Sequence, residues 1–505
     1  MRNRFQTFHA VLHFIGSLFI ILGFLLLFPL ALVFIYAEFT TGLDTIFAFL
    51  VPIASSFTLG FLLKISFKKH NLNSLQAMIV CSLAWLCFSG IGAIPFVIGI
   101  DSTFLDGFFE TMSGFTTTGI TMFTGLDSMP KSILFWRSLT QWIGGLGILT
   151  FFLALTLHGA SAHRLFSAES HKIDMPRPVP GMLNTVKILW TIYGSFTLFI
   201  IILLSIAGMP VFDSICHSFT ALSTGGFSPH DASISYYKLE GFAAYRIIEY
   251  ILILGMIMGG MNFLIHYRII KGKWLSLVDN TEMRYWWTLI ALFTIIILAE
   301  IWMASGFTNQ GPAPTSLFAQ IEMQFRKVLF QVISILTTTG FATQDIGSAF
   351  FGHAARQLFL IMMVIGGCIG STGGGIKVLR IAILFRIIKN QVQRFVLPSR
   401  SVSTILIDGK PLDQNEALRI SGLFFAWIVL LVAGGTITAL FSNLDSYSSF
   451  SGMFSALGNI GPSYISVKEM GALSPIIKIV YILGMLAGRL EIIPLLILFT
   501  PRAWK

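Results

Sequence analysis

Long apolar stretches separated by short polar segments set the hydrophobic pattern of this chain. A helix that crosses a lipid bilayer needs about 20 apolar residues, and ten stretches approach or exceed that length. They lie at about residues 11–37, 45–66, 74–100, 133–157, 185–208, 243–270, 284–304, 355–388, 417–441 and 474–499. The first is too long for a signal-peptide core, so we interpret it as a retained span. The pattern predicts a polytopic membrane protein.

Four shorter apolar runs lie between the spans, at about residues 106–116, 212–222, 324–336 and 447–457. Each is too short to cross the bilayer, and each is followed directly by a tetrapeptide of mostly small or polar residues that ends in glycine. The tetrapeptides are Thr116–Gly119, Leu222–Gly225, Thr337–Gly340 and Gly458–Gly461. The chain therefore repeats one unit four times: a span, a half-helix, an extended strand and a second span.

The repeat divides the chain into five parts. We expect two extra N-terminal transmembrane helices over residues 1–73 and four pore repeats over residues 74–184, 185–283, 284–416 and 417–505. The predicted fold class is an all-α membrane protein, in which four pseudo-repeated helix–pore-loop–helix units surround one central pore.

Composition and charge agree with this prediction. The chain is 55% hydrophobic and 11% charged, which excludes an ordinary soluble domain. Its net charge is +10, but the basic residues cluster just after the spans, which is typical of cytoplasmic loops and not of a nucleic-acid-binding surface. We expect both termini and loops 158–184 and 389–416 in the cytoplasm. The cysteines are expected to be buried free thiols; they are Cys81, Cys87, Cys216 and Cys368.

The glycine tetrapeptides are candidates for ion coordination. A half-helix that enters from outside points its C-terminal end, which carries partial negative charge, toward the membrane centre. Backbone carbonyls at that depth must face water or hold a ligand. Glycine permits the chain to turn sharply back outward. Four such strands around one axis would have the chemistry of a cation selectivity filter.

The tetrapeptides and their neighbours resemble the four filters of the Trk/Ktr/HKT potassium transporter superfamily. The segments that carry the resemblance are Phe115-Thr116-Thr117-Thr118-Gly119, Ser223-Thr224-Gly225-Gly226-Phe227, Thr337-Thr338-Thr339-Gly340-Phe341 and Asn459-Ile460-Gly461-Pro462. The two extra N-terminal spans are similar to those of the bacterial TrkH/TrkG type. The resemblance implies a K⁺ uptake subunit with K⁺ bound at the filter residues. These are Thr117, Thr118, Gly119, Ser223, Thr224, Gly225, Thr338, Thr339, Gly340, Asn459, Ile460 and Gly461.

The resemblance also implies an ion preference and partners. The positions that match the family's filter glycines are Gly119, Gly225, Gly340 and Gly461. In the family, serine at the first of these positions accompanies Na⁺ permeation, so the glycine found there in this chain favours K⁺. Asn459-Ile460 replaces Thr-Thr in the fourth copy, which we interpret as broken four-fold symmetry. Family members form homodimers in the bacterial inner membrane and dock a cytosolic TrkA-like ring. We expect a nucleotide, NAD or ATP/ADP, on that partner only, and no cofactor on this chain.

A glycine-rich run, residues 366–377, interrupts the span predicted over 355–388. A phosphate-binding loop is disfavoured because Ile376 stands where that motif requires lysine. A packing break without a gating role is one alternative, because glycine is common in membrane helices. The resemblance favours the family's intramembrane loop, which lies under the filter and obstructs the pore. The predicted gate residues in this loop are Gly370, Ser371, Thr372, Gly373, Gly374 and Gly375.

Arg489, in the last span, is the second gate candidate, because an ionisable group inside a membrane is costly. A structural pair with Glu491 or snorkelling to the cytoplasmic side is the alternative. The resemblance implies an arginine in the pore below the filter, where its charge would repel K⁺.

The other polar candidates are interpreted as structural or solvated residues. Glu110, Glu249 and Glu300 are expected to form structural hydrogen bonds, and His158, His163 and His171 to lie in a solvated loop without a metal.

These observations predict conduction of K⁺ down its electrochemical gradient by a protein that is not an enzyme. A K⁺ symporter coupled to H⁺ or Na⁺ is the close alternative, since the resemblance does not separate the two. An intramembrane enzyme with Ser371 as nucleophile is the distant one. It would leave the four repeats unexplained, and the sequence has no His-Glu-x-x-His zinc motif.

Overall fold

The computed structural model of the chain describes residues 2–147 other than 41, 69 and 71, residue 150, residues 182–305 and 317–396, residue 398 and residues 403–504. Three helices precede the repeats: α1 Arg2–Leu25, α2 Leu27–Ile35 and α3 Asp44–Ser66. Repeat 1 contains α4 Ser74–Gly92, α5 Ile94–Gly99, α6 Phe104–Phe115 and α7 Lys131–Leu146. Repeat 2 contains α8 Met182–Ile206, α9 Val211–Leu222, α10 Ser235–Leu239, α11 Tyr245–Gly260 and α12 Phe263–Ile270.

The second half continues the same order. Repeat 3 contains α13 Thr281–Ser305, α14 Leu317–Leu336, α15 His353–Val364 and α16 Val378–Val396. A two-stranded antiparallel hairpin follows, formed by β1 Leu406–Ile407 and β2 Lys410–Pro411. Repeat 4 contains α17 Gln414–Phe441, α18 Ser446–Gly458, α19 Val467–Gly471, α20 Pro475–Arg489 and α21 Ile493–Leu498. The predicted all-α fold is confirmed, because this hairpin is the only sheet among the residues described.

Six of the described helices are long and apolar enough to cross a membrane, or seven if the bent pair α11–α12 is one span. The six are Thr7–Ile35, Asp44–Ser66, Ser74–Gly99, Asn184–Ile206, Thr281–Ala304 and Gln414–Phe441, and each coincides with a predicted span. The span predicted over 133–157 is described only to residue 147 and at residue 150.

Two spans predicted to be continuous are broken, so that part of the prediction is wrong. Helices α11 and α12 meet at a bend of 104°. The carbonyl of Gly260 there accepts a hydrogen bond from Cys368 N (2.9 Å), and Asn262 caps α12 by accepting from Leu264 N. The last span ends at Arg489 and resumes at Ile493, because Glu491 and Ile492 adopt positive φ.

Close glycine contacts hold α1 against α3 in front of the repeats. A Cβ on Gly16 would lie 2.9 Å from the carbonyl oxygen of Gly60, and a Cβ on Gly60 would lie 2.9 Å from that of Gly16. Small residues that let two backbones approach are typical of helix pairs in membranes. Helix α3 also packs on α5, so this layer covers one side of repeat 1.

The four predicted half-helices are present as α6, α9, α14 and α18, and they are buried toward their C-terminal ends. Side chains start two of them: Thr103 accepts from Asp106 N, and Asp445 accepts from Tyr447 N and Ser448 N. The cysteines carry no disulfide, as predicted, although Cys87 is only partly buried. The fold thus places the C-terminal ends of the four half-helices in the interior of the protein.

Candidate functional site

The same backbone turn ends each of the four half-helices. The residue that follows the last turn has left-handed φ, which is uncommon outside glycine. The residues are Thr117 (54°), Thr224 (53°), Thr338 (60°) and Asn459 (55°). The next amide in each repeat donates a hydrogen bond of 2.8–3.0 Å to a carbonyl five residues earlier. The pairs are Thr118 to Ser113, Gly225 to Thr220, Thr339 to Ser334 and Ile460 to Ser455. The four repeats are therefore equivalent in structure as well as in sequence.

This structural equivalence corrects the choice of the matching glycine in repeat 2, which the sequence placed at Gly225. Gly119, Gly340 and Gly461 have φ of 84°, 87° and 107°, and each lies two residues after the left-handed residue. In repeat 2 the residue at that position is Gly226, with φ of 77°, and not Gly225. Gly225 instead matches Thr118. We therefore define the four glycine segments as residues 116–119, 223–226, 337–340 and 458–461.

The glycine segments form a closed ring. Each positive-φ glycine lies against the carbonyl oxygen that precedes the equivalent glycine in the next repeat. A Cβ on the glycine would lie at the following distances from that oxygen: Gly119 to Gly225, 2.2 Å; Gly226 to Thr339, 2.0 Å; Gly340 to Ile460, 2.0 Å; Gly461 to Thr118, 3.0 Å. The contacts run from repeat 1 to 2, 3, 4 and back to 1. Four backbone strands thus surround one axis.

The ring is buried and electronegative. Every Thr, Ser and Asn side chain of the glycine segments is 0% exposed. The C-terminal ends of four helices meet there, and each end carries partial negative charge. Backbone carbonyls held in such a ring can replace the hydration shell of a cation. The arrangement brings all the sequence-predicted filter residues together at one place.

Side chains brace the strands differently in each repeat. Thr116 and Thr118 hydroxyls pair at 2.7 Å, and the same pair recurs in repeat 3 between Thr337 and Thr339. In repeat 4, Asn459 Nδ2 donates to Thr118 Oγ1 at 2.9 Å and so connects repeat 4 to repeat 1. The broken symmetry predicted for the fourth copy therefore has a structural counterpart.

A buried ion pair in repeat 1 bonds to the backbone of repeats 1 and 2. Arg137 Nε donates to Glu110 Oε1 at 2.9 Å, and the two side chains are 2% and 0% exposed. Glu110 also accepts from Met122 N, and Arg137 Nη1 donates to Ser228 O, both on strands that leave the ring. The prediction that Glu110, Glu249 and Glu300 form structural bonds is confirmed, because Glu249 pairs with Arg326 and Glu300 accepts from Ala355 N. Arg137 was missed, since it lies in an ordinary helical pattern.

The glycine-rich run breaks the span between α15 and α16, as predicted, and it lies against the ring. Thr372 Oγ1 donates to Leu222 O and lies 3.1 Å from Thr224 Oγ1 in repeat 2. Gly374 N donates to Thr338 Oγ1 in repeat 3 at 2.8 Å. The run thus contacts two of the four glycine segments through single hydrogen bonds. Ser371 Oγ donates to Cys368 O, an ordinary turn contact.

Arg489 lies between the ring and the glycine-rich run. Its Nη1 donates to Thr117 Oγ1 at 3.2 Å and to Thr372 O. Its Nη2 donates to the carbonyls of Gly144 and Gly145 in the last turn of α7, where a cation is favoured. These partners are distant in sequence, so the pattern could not reveal them.

Further charges line the space beside Arg489. Lys377 Nζ donates back to Gly373 O, and Glu491 pairs with Arg380 at 2.6 Å. A cavity of about 120 Å³ adjoins Arg489, Ser371 and Lys377. The three histidines considered for a metal lie outside the described residues, which contain no group of His, Cys, Asp or Glu able to hold a metal ion.

Four equivalent half-helices around one ring of backbone carbonyls place this helical membrane protein in the class of ion-transporting membrane proteins. The chain belongs to the TrkH family of cation transport proteins, which it matches over residues 45–505.

Its relatives cover most of its length. The chain is 33% identical to the Trk system potassium uptake protein TrkH of Salmonella typhimurium, over 87% of this chain and 88% of that protein. It is 32% identical to an uncharacterized cation transporter of Methanocaldococcus jannaschii, over 99% and 97%. The crystal structure of the potassium transporter TrkH from Vibrio parahaemolyticus superposes with a TM-score of 0.83 at 30% identity, covering 99% of this chain and all of that one. The predicted resemblance and the prediction of a non-enzymatic transport protein are confirmed.

Proposed function

We propose that the chain is a potassium uptake subunit that conducts K⁺ across the membrane. The closed ring of glycine segments carries this proposal, because it places four sets of backbone carbonyls around one axis in a buried, electronegative site. The names of the relatives, Trk system potassium uptake proteins and a potassium transporter, support K⁺ as the ion.

The proposed coordinating residues are those of the glycine segments. They are Thr117, Thr118, Gly119, Ser223, Thr224, Gly225, Thr338, Thr339, Gly340, Asn459, Ile460 and Gly461, with Gly226 added by the corrected register. K⁺ would exchange its water for carbonyl oxygens of successive residues. Glycine is needed where a side chain would displace the neighbouring carbonyl.

The proposed gate consists of Gly370–Gly375 and Arg489. Its contacts to Thr224, Thr338 and Thr117 support the proposal, since the same residues belong to the glycine segments. Carbonyl sites must release ions quickly for conduction, so selection and closure need separate parts. The glycine run can change conformation at low cost, and the guanidinium adds a fixed positive charge.

The family resemblance also supports a proposal for the location, oligomeric state and partner of the subunit. We propose a bacterial inner-membrane location with both termini cytoplasmic, a homodimer, and a TrkA-like cytosolic partner that binds NAD or ATP/ADP. The Trk system names of the relatives support a multi-subunit system. We also propose the division into residues 1–73, 74–184, 185–283, 284–416 and 417–505, which the order of the half-helices supports.

Ion flux from purified protein in liposomes tests the function. We expect K⁺ flux that follows the K⁺ gradient and membrane potential and exceeds Na⁺ flux. K⁺ movement that is driven uphill by an imposed H⁺ or Na⁺ gradient would instead establish the symporter. Liposomes without any K⁺ flux under all three gradients would refute both transport mechanisms.

A further inference from the structure

A buried side chain of repeat 1 binds one carbonyl of the ring. Gln141, in α7, is 0% exposed, and its Nε2 donates to Gly225 O at 2.6 Å. Its Oε1 accepts from Phe227 N at 3.0 Å. Since a carbonyl needs a donor and an amide N–H needs an acceptor, only one orientation of the Gln141 amide satisfies both contacts. The side chain is therefore locked onto the backbone of repeat 2.

The other three carbonyls of the ring have no such hydrogen-bond donor among the described residues. Those of Thr118, Thr339 and Ile460 accept no hydrogen bond from the part of the chain that the structure describes.

The helix positions equivalent to Gln141 in other repeats can be identified from the glycine that lies three residues later in the same helix. A Cβ on Gly144, Gly259 or Gly488 would lie within 2.6 Å of the carbonyl oxygen two residues before the left-handed residue of its repeat, which belongs to Phe115, Leu222 or Leu457. Repeats 2 and 4 thus have Met256 and Met485 in place of Gln141, and both are fully buried.

We infer that Gln141 is a positioning residue that tunes ion selectivity by holding and weakening one of the four ring carbonyls. The partial positive charge of a donor N–H beside Gly225 O lowers the negative potential that this oxygen presents to a cation. Na⁺ is smaller than K⁺ and loses a tighter hydration shell, so it needs stronger ligands to replace that shell. Weakening one ligand in four therefore penalises Na⁺ more than K⁺. The inference rests on the proposed function.

Gln141→Met tests this, because methionine fills the equivalent sites in two repeats without a hydrogen bond to the strand. We expect the K⁺/Na⁺ permeability ratio in liposomes to fall, by at most the roughly tenfold that one hydrogen bond of ordinary net strength is worth. The second measurement needs no flux: the relative thermal stabilisation of the solubilised protein by K⁺ and Na⁺ should shift toward Na⁺. Gln141→Asn, whose amide reaches less far, should shift both in the same direction.

Met256→Leu is the matched control, a volume-conserving change at the equivalent position. It should leave the ratio and the stabilisation unchanged. A Gln141→Met protein with the parent's values in both measurements would overturn the inference, and so would an equal shift in Met256→Leu. A parent protein that shows no K⁺ preference would refute the proposed function instead. The K⁺ preference of the parent is therefore measured before any variant is compared.

Discussion

Gly119 has no room for a side chain. A Cβ there would lie 2.2 Å from Gly225 O, a backbone atom, and φ is +84°. Serine at this position must therefore push that carbonyl away from its place in the ring and strain its own backbone. We expect Gly119→Ser to admit Na⁺ and to lower the K⁺/Na⁺ permeability ratio in liposomes.

Gly241→Ser is the control for this change. Gly241 also has positive φ, +74°, but a Cβ there meets nothing within 4 Å. The substitution carries the same kind of backbone strain outside the ring, so selectivity should remain that of the parent. An unchanged ratio in Gly119→Ser would remove the first repeat from the proposed filter.

His230 gives the protein a pH-dependent contact in the loop after the second glycine segment. Its Nδ1 lies 2.5 Å from Asp127 Oδ1, and its Nε2 lies 3.0 Å from Asp213 Oδ2. Burial opposes protonation of the ring, but the hydrogen bonds and charges of Asp213 and Asp127 outweigh it and raise the pKa of His230. The contact therefore contributes its full stability below the ordinary histidine pKa of about 6.5 and loses it as pH rises through the raised value.

We expect the thermal midpoint of the purified protein to fall as pH rises through that range. His230→Gln should flatten the dependence, because glutamine does not titrate. His353→Gln, a change at an exposed histidine, should leave it as in the parent. An equally steep fall in the His230→Gln protein would show that another group is responsible.

The glycine-rich run between α15 and α16 is the element that we expect to gate conduction. Arg489 donates both to Thr372 O in the run and to Thr117 in the ring. Two like charges about 6 Å apart at an effective dielectric near 20 repel by roughly 2–3 kcal/mol. That barrier slows passage by about one to two orders of magnitude. Arg489→Ala, or deletion of several of residues 370–375, should raise basal K⁺ flux by a comparable factor without altering ion preference.

Arg489→Lys separates charge from tethering in this experiment. Lysine keeps the positive charge but has no planar fork to bond several carbonyls at once. Flux between those of the parent and Arg489→Ala is expected. If the alanine and deletion proteins reach the membrane and conduct like the parent, the gate lies elsewhere and these residues only pack.

Elements with a strong local pattern could be predicted from the sequence, and contacts between elements could not. The four half-helices and the break at residues 366–377 follow from apolar length and glycine content. The register of repeat 2 does not, because Gly225 and Gly226 are adjacent, and the φ angles of Thr224 and Gly226 and the hydrogen bond from Gly225 N to Thr220 O decide between them.

Two features of the site depend entirely on tertiary contacts. The bend after Gly260 was missed because a glycine pair in an apolar run is normal in a spanning helix, and its partner Cys368 is over 100 residues away. Gln141 was missed because a single amide in a helix carries no pattern. Its two hydrogen bonds are made to the strand of repeat 2 that packs against it.

The charge distribution predicts how the whole molecule is oriented in the membrane. The basic clusters predict that loop 158–184 faces the cytoplasm, where a nucleotide-binding partner would dock. Ser128, by contrast, is exposed in the loop between the first glycine segment and α7, which is then outside. In intact cells, an impermeant thiol reagent should label Ser128→Cys but not Ser167→Cys, and permeabilisation should expose the latter. Cys81, Cys216 and Cys368 are buried, so background labelling should come mainly from Cys87. Labelling of Ser167→Cys alone from outside would invert the topology and move the proposed docking face to the opposite side.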